Sequence, residues 1–431
     1  MQEFELTALP TSERVVSERL ESVRSVAVGI WIGVGSRDED DRRAGITHFL
    51  EHLLFKGTAR YSALDIAEVF DGLGGELNAA TSREYTVVYA RVLDEHLETA
   101  LDVMTDMVFA PTLDDLDAER EVVLEEIAMV EDAPHDLVHD RLSEAIFGRH
   151  PLGRPVIGSA DVIASVSRRV LQSHHRSRYG GDRVVVSAAG SVEHDRLAGL
   201  VRRMRDEKAR PAAHAARGRA PLARDPRPSL IVDEKDTEQY HVCLGAPGIS
   251  RTDPRRFAAS ILDGVLGGSA SSRLFQEIRE KRGLAYSVYT FGSQYEETGE
   301  VGVYVGTREE NVATCLEIVA TELADVAAGG LTARELERAK ENLKGRVMLS
   351  MESTASRMNR LGKSVLTDAE LLPLDRIVAE IQAVDVDQVA ALAAELLAPE
   401  RLSAACIGPS GDRFRRALDA VLPGLAERSA A

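Results

Sequence analysis

Two similar α/β halves, each a single sheet covered by helices and joined by a linker, are what the sequence predicts. Three observations carry that expectation. A chain of 431 residues is longer than one hydrophobic core ordinarily serves, so two or more domains are expected. Between about residues 202 and 229 the apolar periodicity fails in a Pro-, Ala- and Arg-rich stretch, R-R-M-R-D-E-K-A-R-P-A-A-H-A-A-R-G-R-A-P-L-A-R-D-P-R-P-S, which divides the chain almost equally. The third is an echo between the halves: a helix runs into D-G-L-G-G at 71–75 and another into D-G-V-L-G-G at 263–268, and each is followed by a strand-rich stretch. The expected division is an N-terminal domain 1–205, a linker 206–229 and a homologous C-terminal domain 230–431.

Taken in order, residues 23–35 (V-R-S-V-A-V-G-I-W-I-G-V-G) form a β-branched apolar run that reads as a buried strand, followed by a charged turn, R-D-E-D-D-R-R-A-G. Residues 46–57 place apolar residues at helical spacing, with Thr47 a candidate N-terminal cap. Y-S-A-L-D-I-A-E-V-F-D-G-L-G-G reads as a helix stopped by glycines. E-L-N-A-A-T-S-R-E-Y-T-V-V-Y-A-R-V reads as strand broken by a turn near Thr81–Arg83. Leu93–Val108 and Asp114–Val130 read as helices, the second with a strongly acidic face. The second half repeats the order with Q-Y-H-V-C-L-G-A-P-G, a helix into L-D-G-V-L-G-G, then A-Y-S-V-Y-T-F and G-V-Y-V-G.

Bulk composition narrows the function. Hydrophobic residues at 44% and charged residues at 28% describe a globular chain rather than a disordered one. With 52 basic against 70 acidic residues the formal charge is -18, which repels nucleic acid and anionic membranes, so neither is expected as a partner. Cys243, Cys315 and Cys406 are scattered with no C-x-x-C pair, which fits a reducing compartment. No apolar run has the length of a signal or a membrane span, and the cytoplasm is the expected location.

The chemistry concentrates in His48-Phe49-Leu50-Glu51-His52. On a helix, residues four apart share a face, so both imidazoles can reach one ion. Glu51 falls at the edge of that face, where it can address a water without taking a ligand position. Phe49, Leu50, Leu53, Leu54 and Phe55 surround the motif, so the helix is expected to be largely buried, and buried imidazoles beside a buried carboxylate need partners. Zinc catalysis uses three protein ligands and an open position, and two histidines plus a glutamate are a recognised set. The acidic helix offers Glu119, Glu121, Glu125, Glu126 and Glu131, among which spacing does not choose. Glu119 and Glu126 lie two turns apart on one face, so one can bind the ion while the other supports a ligand imidazole.

At these residues the chain resembles the inverzincin group, and more specifically the pitrilysin and mitochondrial-processing-peptidase family in its short bacterial form. The likeness covers nearly the whole chain. The family's E-R-x-V-x-x-x-E context appears as Glu119-Arg120-Glu121-Val122-Val123-Leu124-Glu125-Glu126, which implies that Glu126 is the third metal ligand and Glu119 its supporting carboxylate. Further familial segments are F-K-G-T at 55–58, L-N-A-A-T-S-R-E-Y-T at 77–86, H-P-L-G-R-P-V-I-G at 150–158 and S-S-R-L-F-Q-E-I-R-E-K-R-G-L-A-Y-S-V at 271–288.

The resemblance implies an α+β fold of two similar α/β sandwich domains, each a mostly antiparallel sheet with helices packed on it. It also implies one Zn2+ per chain and a homodimer enclosing a chamber. The expected activity is hydrolysis of peptide bonds in short or unfolded polypeptides. Glu51 would serve as general base, Tyr286 would hydrogen-bond the oxyanion or nearby peptide, and Arg279 would anchor substrate. The strand at Asn78, Ala79 and Ala80 is the candidate for backbone pairing with an extended peptide.

Two other functions compete: a catalytically silent subunit that keeps only the fold, and a zinc hydrolase of a non-peptide amide. The remaining features carry less. Gly72–Gly75 and Gly267-Gly268 lack a phosphate-loop or dinucleotide fingerprint and read as helix stops. His174 and His175 are adjacent and diverge on a regular element. His135 and His139 have ligand-like spacing but no base placed as Glu51 is.

Overall fold

The computed structural model describes residues 4–207 and 227–428, so most of the linker expected at 206–229 lies outside the described residues. The first sheet has six strands: β1 (Glu5–Ala8), β2 (Arg14–Arg19), β3 (Ser25–Ile32), β4 (Glu76–Thr81), β5 (Thr86–Leu93) and β6 (Val184–Gly190), in the spatial order β1-β2-β6-β3-β5-β4. The second has five: β7 (Leu230–Glu234), β8 (Tyr240–Gly248), β9 (Ala285–Gln294), β10 (Gly299–Thr307) and β11 (Ser403–Gly408), in the order β7-β11-β8-β10-β9. Replacing each of β2 to β6 by its successor five strands on turns β2-β6-β3-β5-β4 into the second sheet's order. In each sheet one pair is parallel, β2 with β6 and β7 with β11, and the other pairs are antiparallel. The two α/β sandwich domains are therefore similar down to strand order, which accounts for the echo in the sequence.

The alternation in β3 decides its surroundings. Val26, Val28, Ile30 and Ile32 point into one core, together with Phe49, Leu50 and Leu53. Ala27 and Trp31 point into a second core on the other face, with Met358, Leu361 and Val365. A strand buried on both faces reads as a nearly continuous apolar run rather than a clean alternation. Trp31 Nε1 donates to Ser187 Oγ at 2.8 Å, which satisfies the buried indole N–H.

Helices α1 (Ile46–Leu54), α2 (Ala63–Leu73), α3 (Leu97–Phe109), α4 (Leu116–Glu131) and α5 (Pro134–Phe147) follow along the first half. Gly74, with φ of 60°, ends α2 in the left-handed conformation, as the glycine run predicts. Thr47 is not the cap of α1. Gly45 holds that position with φ of 96°, and the Glu39 carboxylate accepts from Gly45 N at 2.8 Å and Thr47 N at 2.6 Å. Leu93 closes β5 rather than opening a helix, and Asp94–His96 turn the chain before α3 begins at Leu97.

The compact units do not follow the sequence halves throughout. Met129–Arg154, which contains α5, belongs to the second unit, and Met348–Pro373 belongs to the first. In the second unit α5 buries Val138, Leu142 and Ile146 against Cys243, Tyr304, Ala405 and Ile407. In the first, the helix Thr354–Leu366 buries Met358, Leu361 and Val365 against Val16, Trp31, Val87 and Val185. Divisions drawn at 205 and 230 are thus each interrupted by a helix taken from the other half of the chain.

Candidate metal centre

α1 presents His48, Glu51 and His52 because its opposite face, Phe49, Leu50, Leu53 and Leu54, is fully buried in the core of the first unit. α4 supplies the acidic partners. Its residues Val123 and Ile127 face the same core. Glu119 and Glu126, seven apart on a neighbouring stripe, both come to the imidazoles.

His48 Nε2 is 3.8 Å from Glu126 Oε2, and His52 Nε2 is 3.3 Å from the same oxygen. One donor atom from each of the three residues lies within 4.8 Å of the others. Tetrahedral zinc with ligands at about 2.0–2.1 Å separates its donors by roughly 3.3–3.5 Å, a spacing that the His52–Glu126 pair already has and that the rest of the set, within 4.8 Å, would reach by closing slightly around the ion. The protonation states fit as well. Burial, with the neighbouring His52, pushes His48 down to about 4, which leaves a neutral imidazole ready to ligate at neutral pH. Among the described residues, this is the one group of three or more His, Cys, Asp or Glu side chains with such convergence.

Glu119 is 5% exposed and does not join the converging atoms. Its Oε1 accepts from His52 Nδ1 at 2.8 Å, leaving Nε2 of that ring as the free lone pair. Its Oε2 pairs with Lys56 Nζ at 2.6 Å, so the buried carboxylate is balanced by a cation one turn beyond His52. Lys56 lies in the turn after α1, in F-K-G-T, where helical spacing does not reach, so its pairing with Glu119 shows only in the folded chain.

Glu51 receives a hydrogen bond from the Thr81 hydroxyl. Burial raises the Glu51 carboxyl above its ordinary value and Glu126 adds to that, while Thr81 and His52 work in the opposite direction. Thr81 ends β4, which pairs with β5 alone among the described strands and so leaves its other edge open. Along β4 the exposed positions alternate at Glu76, Asn78 and Ala80, with Leu77, Ala79 and Thr81 half-buried. The turn between β4 and β5 is held by the buried Glu84, whose Oε1 pairs with Arg37 Nη1 at 2.6 Å. Neither Thr81 nor the Arg37–Glu84 pair stands out in the sequence, because both depend on contacts made after folding.

Arg279 and Tyr286 lie in the second unit. The Arg279 guanidinium stacks 4.5 Å from the Tyr286 ring centre, and its Nη1 donates to the Tyr286 carbonyl at 3.0 Å. Tyr286 stands 74% exposed on β9, the edge strand that occupies in the second sheet the place β4 occupies in the first. So large an exposed aromatic ring is not a core tyrosine.

Comparison with known proteins agrees with this geometry. Residues 14–160 match the insulinase model of peptidase family M16, and residues 165–343 match the M16 inactive-domain model. An uncharacterized zinc protease of Streptomyces coelicolor is 46% identical over 416 residues, 94% of this chain and 90% of that one. Its counterpart in Bacillus subtilis, YmxG, is 44% identical over 403 residues, 93% and 97% of the two chains. A crystal structure from Pseudomonas fluorescens, described as a peptidase M16 inactive domain, superposes with a TM-score of 0.88 at 24% identity, covering 94% of this chain and 98% of that one. With both family models matched in succession and curated zinc proteases aligned nearly end to end, the chain belongs to peptidase family M16, the insulinase family.

Proposed function

We propose that the chain is a zinc-dependent endopeptidase that holds one zinc ion through His48 Nε2, His52 Nε2 and Glu126 and uses Glu51 as its general base. The observation that carries this reading is the convergence of those three donor atoms beside a carboxylate that is not one of them. Zinc held there supplies a Lewis acid that polarises a carbonyl and lowers the pKa of water.

The chain's own residues do the rest. Glu51, raised by burial, accepts the proton of the attacking water and returns it to the departing amine nitrogen. Thr81 fixes the direction of that carboxylate. Glu119 holds the His52 ring in one tautomer and orientation, and Lys56, paired with its other oxygen, holds Glu119 in place.

The substrate is a peptide or unfolded polypeptide lying extended along β4, with its main chain paired to Asn78, Ala79 and Ala80. The open edge of β4 and the meeting of its last residue with Glu51 support that placement. Pairing through main chain makes the enzyme broad in sequence preference. Arg279 and Tyr286 anchor substrate, Tyr286 by its exposed hydroxyl, in a homodimer whose two chains enclose the reaction chamber. The three free, buried cysteines suit a reducing cytoplasm. Among the described residues no helix is long and apolar enough to cross a membrane.

The test is Glu51→Gln in the full chain. Peptidase activity on fluorogenic peptides should fall by about 10²-fold or more while one zinc per chain is retained, whereas His48→Ala and Glu126→Gln should lose the metal. Full activity in Glu51→Gln would remove the base assignment. A chain that stays free of zinc when supplied with it would remove the metal site and leave the silent subunit as the answer.

A further inference from the structure

Outside that centre, the second unit gathers three imidazoles and two phenols on the sheet face covered by α5. His135 and His139 lie one helical turn apart on α5, their ring centres 5.9 Å apart and 69° inclined. Their Nε2 atoms point at one oxygen: Tyr289 Oη is 3.1 Å from His135 Nε2 and 3.0 Å from His139 Nε2. His135 Nδ1 is held by Asp136 Oδ1 at 2.9 Å, the carboxylate–imidazole arrangement that presents Nε2 as the free donor in metal sites. Nearby, His241 Nδ1 meets Tyr304 Oη at 2.9 Å, and the Tyr304 ring lies 4.8 Å from His135.

We propose that His135, His139 and Tyr289 form a second site for a divalent transition-metal cation that favours imidazole, such as zinc, nickel or cobalt, with Asp136 orienting one ligand. The donor spacings of 3.0 and 3.1 Å approach the roughly 3.3–3.5 Å that separates donors around a tetrahedral ion with bonds of about 2.0–2.1 Å. The imidazole ring centres are 1.2 Å further apart than the 4.7 Å of His48 and His52, so the exposed His135 side chain has to turn towards His139 for both rings to reach one ion. His135 is half-exposed, which opens the site to solvent.

As a hydrogen-bond network the cluster closes: Tyr289 donates to His135 Nε2, His139 donates from Nε2 to Tyr289, and His139 Nδ1 faces the Cys243 thiol at 3.9 Å. Cation entry requires no net loss of a proton. His139 moves its proton from Nε2 to Nδ1, towards the Cys243 sulfur, and Tyr289 turns its hydroxyl hydrogen outward to ligate through a neutral oxygen. Burial lowers His139 and His241, so both rings stay neutral at physiological pH. The physical result is a clip between α5 and β9, elements of the second unit that lie about 150 residues apart in the chain. Binding only the folded state, the cation stabilises that unit by mass action.

The experiment uses full-length protein with its first site already loaded with zinc. Equilibrium dialysis against nickel or cobalt should show uptake of a further equivalent per chain and a rise in the thermal midpoint. His135→Ala, at an exposed position that tolerates truncation, and Tyr289→Phe, which keeps the ring, should each weaken that uptake by about tenfold or more and abolish the midpoint shift. Both should keep the first equivalent and their peptidase activity, while His48→Ala should lose the first equivalent and keep the second, so failure of either site is seen separately. No further uptake by the wild type, or uptake unchanged in His135→Ala, overturns the proposal.

Discussion

Lys56 holds the far oxygen of Glu119, 2.6 Å from Nζ to Oε2, while the near oxygen lies 2.8 Å from His52 Nδ1. Three residues from two helices and the turn that follows one of them thus form a single polar chain leading to an imidazole of the proposed metal site. Removing its outer end leaves a carboxylate buried with one partner fewer.

Lys56→Met should therefore weaken zinc binding by about 10- to 100-fold, the usual effect of losing an outer partner of a ligand imidazole. Lys56→Arg should restore part of it. Competition with a chromophoric chelator reads this directly, without recourse to turnover. Unchanged affinity in Lys56→Met would show that Glu119 needs no counter-charge.

Thr81→Val removes the hydroxyl that lowers the Glu51 carboxyl while burial continues to raise it. The sign is fixed: the carboxyl rises further, and the acidic limb of the kcat/KM profile moves to higher pH. Turnover at neutral pH should fall by about tenfold or less, because the base itself remains. A pH–rate profile superimposable on the wild type would show that Thr81 does not address Glu51 during the reaction.

Acid stability should depend on His174. It is 3% exposed, its Nε2 meets Thr47 Oγ1 at 3.2 Å, and burial, then Arg178 and Arg43, push it from 6.5 down to about 3. Above pH 6.5 the ring is neutral folded and unfolded alike. As pH falls from 6.5 towards 3, the unfolded chain takes up a proton that the folded chain refuses, so stability is lost across that window, by a few kcal/mol at most. Denaturant unfolding of chelated protein at pH 7 and pH 5 should show a smaller acid loss for His174→Gln than for the wild type. Equal losses would place the sensitivity elsewhere.

Gly362 sits where the helix Thr354–Leu366 crosses Trp31, and a Cβ there would overlap the indole and the Ser187 hydroxyl. Gly362→Ala should cost about 1–3 kcal/mol by overpacking, read as a lower denaturation midpoint with an unchanged slope. No loss would mean that the helix does not press on the first sheet as described.

How much of this was legible beforehand differs from residue to residue. His48, Glu51 and His52 were readable because helical spacing places them in one dimension, and their buried neighbours mark the face. Glu126 was not singled out by spacing, since α4 carries several glutamates and only the approach of α4 to α1 in space selects two of them. The family resemblance made that selection, and in the folded chain a Glu126 oxygen lies 3.8 Å from His48 Nε2 and 3.3 Å from His52 Nε2. Thr47 looked like the cap of α1, but a glutamate eight residues upstream supplies the acceptor, a contact no local pattern records. Least legible were α5 and the helix Thr354–Leu366. An apolar stripe shows that a helix will be buried but not against which sheet.

That exchange of helices has a consequence for the order in which the protein can be made. When the ribosome has produced the first 205 residues, six strands of the first sheet exist, yet Trp31, Val87 and Val185 still lack the cover of Met358, Leu361 and Val365. One broad face of a nearly finished sheet stays wet until synthesis passes residue 366. The nascent chain must be kept from aggregating through that face for more than a third of its translation, and a fragment ending at residue 205 should be insoluble when expressed alone.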